Sequence, residues 1–196
     1  MKIKKRMIWF LAVLQTAVFI SVSAAPAGNS QGNKDSVKNI YQMSKLSSTD
    51  LKVIGDKIFN NEAGGKKDNL VYWNTGEDFP SLGIGHFIWY RNGQKEIFEE
   101  SFPKLVDFYK AENIKLPKIL QDNKYAPWAA RNDFLADKEA GKLSELRDFL
   151  YETRDTQVIF IYKRLEASLD KMLSQTDNKE NVKYQFYRVS NSPNGL

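Results

Sequence analysis

The sequence predicts an α+β fold, mostly helical, with one small antiparallel sheet. Two observations carry that expectation. Apolar side chains recur at helical spacing over residues 51–59 and through most of the chain beyond Gln94. Residues 69–90, by contrast, concentrate Val, Tyr, Trp, Phe and Ile between Gly- and Asn-containing turns. Strands and helices that segregate along the chain, rather than alternate, point to α+β. The 196 residues, 42% of them hydrophobic, suffice for one core, and no internal repeat divides them.

The chain opens with Lys2, Lys4, Lys5 and Arg6, an uncharged stretch over residues 7–23, and the small residues Val22, Ser23, Ala24 and Ala25. That layout reads as a secretory signal peptide, residues 1–24, cleaved after Ala24. The alternative is an uncleaved anchor, although a bilayer usually takes about 20 apolar residues. Removing those four cations lowers the formal charge from +5 to +1, and the remaining chain has no clustered Lys and Arg, so nucleic acid is not expected as a partner. Without cysteine there is no lipidation site and no disulfide framework. The expected address is periplasmic or secreted, with no stable membrane span after cleavage. Residues 25–36, rich in Ala, Pro, Gly, Asn, Gln and Ser, read as a flexible lead-in to a folded domain over residues 37–196.

Within that domain Val37, Ile40, Tyr41 and Leu46 fit a short first helix. Ser47 with Asp50 fits a capping box, and Leu51, Ile54, Ile58 and Phe59 form one buried stripe that Gly64 and Gly65 end. Short antiparallel strands joined by Asn74-Thr75-Gly76 follow over residues 69–90. Helices are then expected over residues 98–113 around Pro103, 127–135, 143–153 and 156–173. The last carries Ile159, Tyr162, Leu165, Leu169, Met172 and Leu173 on its stripe, with Lys163 and Glu166 facing water. Residues 182–189 read as one more ordered segment. The turn-rich ending at residues 192–196 reads either as a frayed tail or as the point where a final helix has been removed.

Glycoside hydrolysis needs a carboxylic acid that stays protonated beside the leaving oxygen and, across the sugar, a carboxylate or a positioned water. Glu62 lies four residues after Ile58 and eight after Ile54, so a continuous helix points it from the apolar stripe. It also occupies the last helical turn, at the negative end of the helix dipole. Burial and dipole both oppose its ionisation, as a general acid requires. The plainer reading is a polar residue where the helix frays.

The run Ser81-Leu82-Gly83-Ile84-Gly85-His86, preceded by a helix ending in glutamate and by a hairpin, resembles phage-type lysozymes. In that family the catalytic glutamate ends the first helix, and a Thr-x-Gly-x-Gly-His strand borders the cleft beyond a hairpin. The resemblance covers roughly residues 51–86. It implies a lysozyme-like fold and cleavage of the β-1,4-linked aminosugar backbone of peptidoglycan, with Glu62 as acid and no cofactor. Ser81 takes the place of the threonine that helps position water, and Gly83, Gly85 and His86 match the rest.

Two departures bear on mechanism. The family's aspartate falls six residues before the threonine, where this sequence has Thr75, and 19 residues separate Glu62 from Ser81, four more than the usual phage spacing. Glu77 and Asp78 are the candidates for the missing carboxylate. Strand alternation groups Glu77, Phe79, Ser81, Gly83 and Gly85 on one face and Asp78, Pro80, Leu82, Ile84 and His86 on the other. With Leu82 and Ile84 in the core, Glu77 and Ser81 face the cleft, unless Pro80 puts the halves out of phase. Both acids also fit as solvated turn residues.

For substrate binding, Trp73 and Trp89 offer rings for sugar stacking, Asn74 and Thr75 offer hydrogen bonds, and Gly83 borders the cleft; the plain alternative for the aromatics is core. His86, the only histidine, fits a structural hydrogen bond towards the helix better than a catalytic role. One His and no Cys give no metal site. Glu96, Glu99 and Glu100 fit as acids at a helix N-terminus. Arg147, Arg154 and Arg164 are surface charges or a basic lip for an anionic wall polymer. Three functions follow: an exported peptidoglycan hydrolase, a non-catalytic peptidoglycan-binding or interaction module, or a chitinase- or chitosanase-like hydrolase. No oligomeric state follows from the sequence.

Overall fold

The structure, a computed structural model, describes residues 46–191, all within the unit Ser36–Leu196. The expected signal peptide, the lead-in, the helix on Val37, Ile40 and Tyr41, and the tail from Ser192 lie outside the described residues.

Helix α1 (Ser48–Ala63) begins where its cap predicts. The Asp50 amide donates to Ser47 Oγ at 3.1 Å, and the Ser47 amide donates to the Asp50 carboxylate at 2.9 Å, so two otherwise orphaned donors are satisfied reciprocally. It ends at Gly64, left-handed at φ 58°, with the Gly65 amide donating back to the Phe59 carbonyl. A 3-10 turn, Lys67–Leu70, then leads into the sheet.

The sheet is antiparallel, in the order β1 (Val71–Tyr72), β2 (Ser81–Leu82), β3 (Phe87–Ile88). Leu82 sits between Val71 and Phe87, and Ser81 between Tyr72 and Ile88. Each strand has only two residues. The hairpin loop over residues 73–80 includes a turn in which the Glu77 amide donates to the Asn74 carbonyl, and residues 83–86 turn again between β2 and β3. Carbonyls of the edge strand and of the turns on either side of it are covered from α4 (Arg131–Glu139). Lys138 Nζ donates to Val71 O at 2.8 Å and to Asp68 O at 2.7 Å, and Arg131 Nε donates to Trp73 O at 2.9 Å. Two cations thereby satisfy backbone acceptors that a sheet edge would otherwise leave open.

The other helices are α2 (Phe102–Ala111), α3 (Lys118–Asp122), α5 (Ser144–Glu152), α6 (Arg154–Ser174) and α7 (Lys179–Ser190). Seven helices and one three-stranded sheet among the described residues make the fold α+β and mostly helical. Helix α2 starts at Phe102, later than residue 98, and takes Pro103 in its first turn, where a missing N–H costs nothing. Helix α4 starts four residues later than expected, because Ala130 is extended and Trp128 is buried in the core ahead of the helix. Helix α3 was not foreseen in the periodicity.

The stripe expected on α6 is buried or half-buried throughout, with Lys163 and Glu166 exposed, but it is only part of the helix's apolar surface. Its core face consists of Gln157, Val158 and Phe160, with Leu169 further along. Ile159 and Tyr162 instead join Leu46 and Leu51 around a cavity of about 250 Å³. The helix packs against both α1 and α2, so its apolar surface is wider than one stripe.

Aromatic rings tie the sheet to the helices. Trp73 meets Phe134 at 5.7 Å, Phe134 meets Trp128 at 4.9 Å, Trp128 meets Trp89 at 5.8 Å and Trp89 meets Phe102 at 5.1 Å, most of them edge to face. No helix among the described residues is long and apolar enough to cross a membrane.

Candidate active site

Glu62 is the penultimate residue of α1 and is half-buried. Burial alone lifts its carboxyl above the ordinary value of 4.5. The apolar spacing from Ile54 and Ile58 accounts for that setting, since all three lie on one side of the helix.

Against this end of α1 lies the 83–86 turn, whose sequence is dictated by its packing. Gly83 has φ +71°, and a Cβ there would overlap Gln157 Oε1 and stand 3.2 Å from the Phe87 ring. A Cβ on Gly85 would be 2.5 Å from Phe87 Cζ. His86 follows in the left-handed region at φ 46°, a conformation that costs a non-glycine residue about 1–3 kcal/mol. Its imidazole, largely buried, is held below its usual range by burial, offset by a hydrogen bond to the Glu62 main chain.

Gln157 is the residue that sequence reasoning missed. Its Oε1 accepts the Ile84 amide at 2.9 Å. The signal available in the sequence was a carboxamide one turn before Phe160 and Ile161, on the apolar side of a long helix.

Glu77 is half-buried beside the 74–77 turn. Burial raises its carboxyl, against a smaller lowering by a hydrogen bond from Asn74, and its Oε2 is buried without a hydrogen-bond partner. Asp78 and Thr75 are exposed, on either side of Gly76 (φ 94°) and Glu77. The Asp78 carbonyl accepts from Gln94 Nε2 at 3.0 Å. Glu77 also lies near Tyr90, whose phenol is pushed up to about 12 by burial and by Glu96, Glu100 and Glu77. Glu100 accepts the Tyr90 amide at 2.7 Å, and Glu99 pairs with Lys104, so neither is merely a charge at a helix terminus.

Four expectations are corrected by burial. Trp73 is 2% and Trp89 1% exposed, and their indole N–H groups donate to the carbonyls of Glu77 and Lys124, so neither ring is open to a sugar. Gly83 is enclosed by Gln157 and Phe87 and does not border a cleft. Ser81, 4% exposed, does not face one either. Both faces of β2 are covered, and the chain leaves the strand after Leu82, so alternation cannot sort residues 77–86 into an inner and an outer set.

His86 thus lies close to the Glu62 main chain, and the Glu77 amide donates to the Asn74 carbonyl. Arg147 pairs with Asp68 at 2.6 Å, Arg154 with Asp56 at 3.5 Å and Arg164 with Glu99 at 3.7 Å, so the three arginines are engaged in ion pairs. No protein-family model, curated protein or solved structure matches the chain.

Proposed function

We propose that the chain is an exported glycoside hydrolase of lysozyme-like architecture, cutting the aminosugar backbone of peptidoglycan with Glu62 as general acid. The setting of Glu62 carries this reading: a half-buried carboxyl in the last turn of α1, raised by burial, with His86 of the Gly-x-Gly-His turn close to its main chain. A proton retained towards neutral pH is what a departing sugar oxygen needs. Export follows from the pattern of Lys2, Lys4, Lys5 and Arg6 ahead of an uncharged stretch.

Glu77 is favoured over Asp78 as the second carboxylate. It is the more enclosed of the two, half-buried where Asp78 is exposed, and its Oε2 is buried with no hydrogen-bond partner, so Glu77 would act on water or on an oxocarbenium-like transition state only once the 74–77 turn opens that oxygen to the substrate. If the two carboxyls stand roughly 6.5–9.5 Å apart, with room for a water between them, inversion at the anomeric carbon is expected.

Incubating the mature protein with purified peptidoglycan and assaying soluble fragments tests the reading. New reducing ends are expected from the wild type and none from folded Glu62→Gln; undiminished lysis by that variant overturns the assignment. Binding without new reducing ends favours the second reading, a non-catalytic wall-binding module. The observation in its favour is Thr75, exposed where the resembling family has an aspartate. Chitin and chitosan in the same assay separate a chitinase- or chitosanase-like enzyme from both.

A further inference from the structure

We infer that Gln157 is a positioning residue for Glu62, acting through the 83–86 turn on the C-terminal end of α1. The catalytic part of this inference rests on Glu62 being the acid; the geometry stands without it.

Gln157 is 0% exposed, the one buried carboxamide among the described residues. Burying an amide costs stability unless its polar atoms are bonded, and here both ends are. Oε1 accepts the Ile84 amide at 2.9 Å, while Nε2 donates to Leu150 O at 2.7 Å and to Thr153 Oγ1 at 3.3 Å. Thr153 Oγ1 is held in turn, at 2.8 Å from both the Tyr109 hydroxyl and the Phe149 carbonyl. A braced support from the junction of α5 and α6 therefore ends on Ile84, 73 residues away in sequence.

Two routes continue from there to α1. Along the first, the Gly83 amide donates to Leu70 O at 2.8 Å, and the adjoining Asn69 Nδ2 donates to Ala63 O at 2.9 Å, next to Glu62. Along the second, His86, left-handed at φ 46°, brings its imidazole close to the Glu62 main chain. The space a Gly83 side chain would need is taken by Gln157 Oε1, so glycine and glutamine fit each other. A methionine at 157 could fill similar volume, but it could not accept the Ile84 amide in a fixed direction.

The test follows the titration of the Glu62 carboxyl by carbon NMR, alongside wall-lysis kinetics and thermal melts, in wild type, Gln157→Met, Gln157→Glu and Thr153→Val. Folded Gln157→Met is expected to let Glu62 titrate nearer the ordinary glutamate range, and to lower turnover about tenfold or more with KM changed less than about twofold. Gln157→Glu keeps an oxygen for the Ile84 amide but has a donor for Leu150 O only while its own carboxyl is protonated, so it is expected to recover turnover at acidic pH and not at neutral pH; Thr153→Val falls between wild type and Gln157→Met. An unchanged Glu62 titration in folded Gln157→Met, or turnover that tracks melting temperature alone across the series, overturns the inference. If Gln157→Met does not fold, the Glu62 titration in Thr153→Val decides it. Undiminished lysis by Glu62→Gln would defeat the reading of Glu62 as acid, while the titrations still decide positioning.

Discussion

Glu62 and Glu77 both hold their protons to higher pH in the fold than in the unfolded chain, chiefly because burial disfavours the charged form. A raised folded value means that stability is intact below the unfolded value and is lost as pH rises through the folded one. Glu62→Gln and Glu77→Gln should therefore melt higher than wild type at neutral pH, and the gain should vanish near pH ~3.5, below the ordinary glutamate range. Melts at the two pH values check this. Lysis itself should fall as pH rises through the raised Glu62 value, because the acid works only while protonated. Gly83→Ala adds a Cβ into Gln157 and Phe87 at φ +71°, and should destabilise by about 2–4 kcal/mol in denaturant titration. Gly64→Ala, at φ +58° with no atom near the added carbon, should cost only about 1–2 kcal/mol. The setting of Glu62 was legible because a helix repeats locally: Ile54, Ile58 and Glu62 share a side by spacing alone. The meaning of Gly83 was not, because the atom that excludes a side chain there belongs to a residue of α6.

At the scale of elements, the start and stop of α1 were readable because its cap and terminating glycines lie within the segment itself. Ser47→Ala should cost about 1 kcal/mol and fray the first turn, seen as faster amide exchange at residues 48–51. The sheet was located but not resolved. Nothing local in residues 69–90 says that the strands stop after two residues or that both faces of β2 are covered. The closure of the β1 edge by α4 is likewise a long-range matter. Lys138→Met leaves the carbonyls of Val71 and Asp68 without their donor, and should destabilise by about 1–3 kcal/mol, with Arg131→Met acting similarly through Trp73 O. Lys138→Arg should recover part of the loss. Equal stability of Lys138→Met and wild type would mean that the edge does not need the cation.

Across the whole molecule, the aromatic residues that suggested a sugar platform serve the core. Trp73, Trp89 and Trp128 join sheet to helices through Phe134 and Phe102, which is how a fold whose strands are two residues long still acquires a packed centre. What remains for chemistry is the pair of raised carboxyls. Glu62 is supported from α6 through the 83–86 turn, and Glu77 stands beside Asn74 and Tyr90. The α+β layout was readable from where each period occurs, whereas the depth of each aromatic was not, because alternation and helical spacing describe one element at a time. The central claim, that Glu62 is the acid of a glycan hydrolase, is tested most directly by counting new reducing ends released from purified peptidoglycan by wild type and by Glu62→Gln shown to unfold as cooperatively as wild type. The account predicts release by the wild type and none above background by the variant; equal release by both would contradict it.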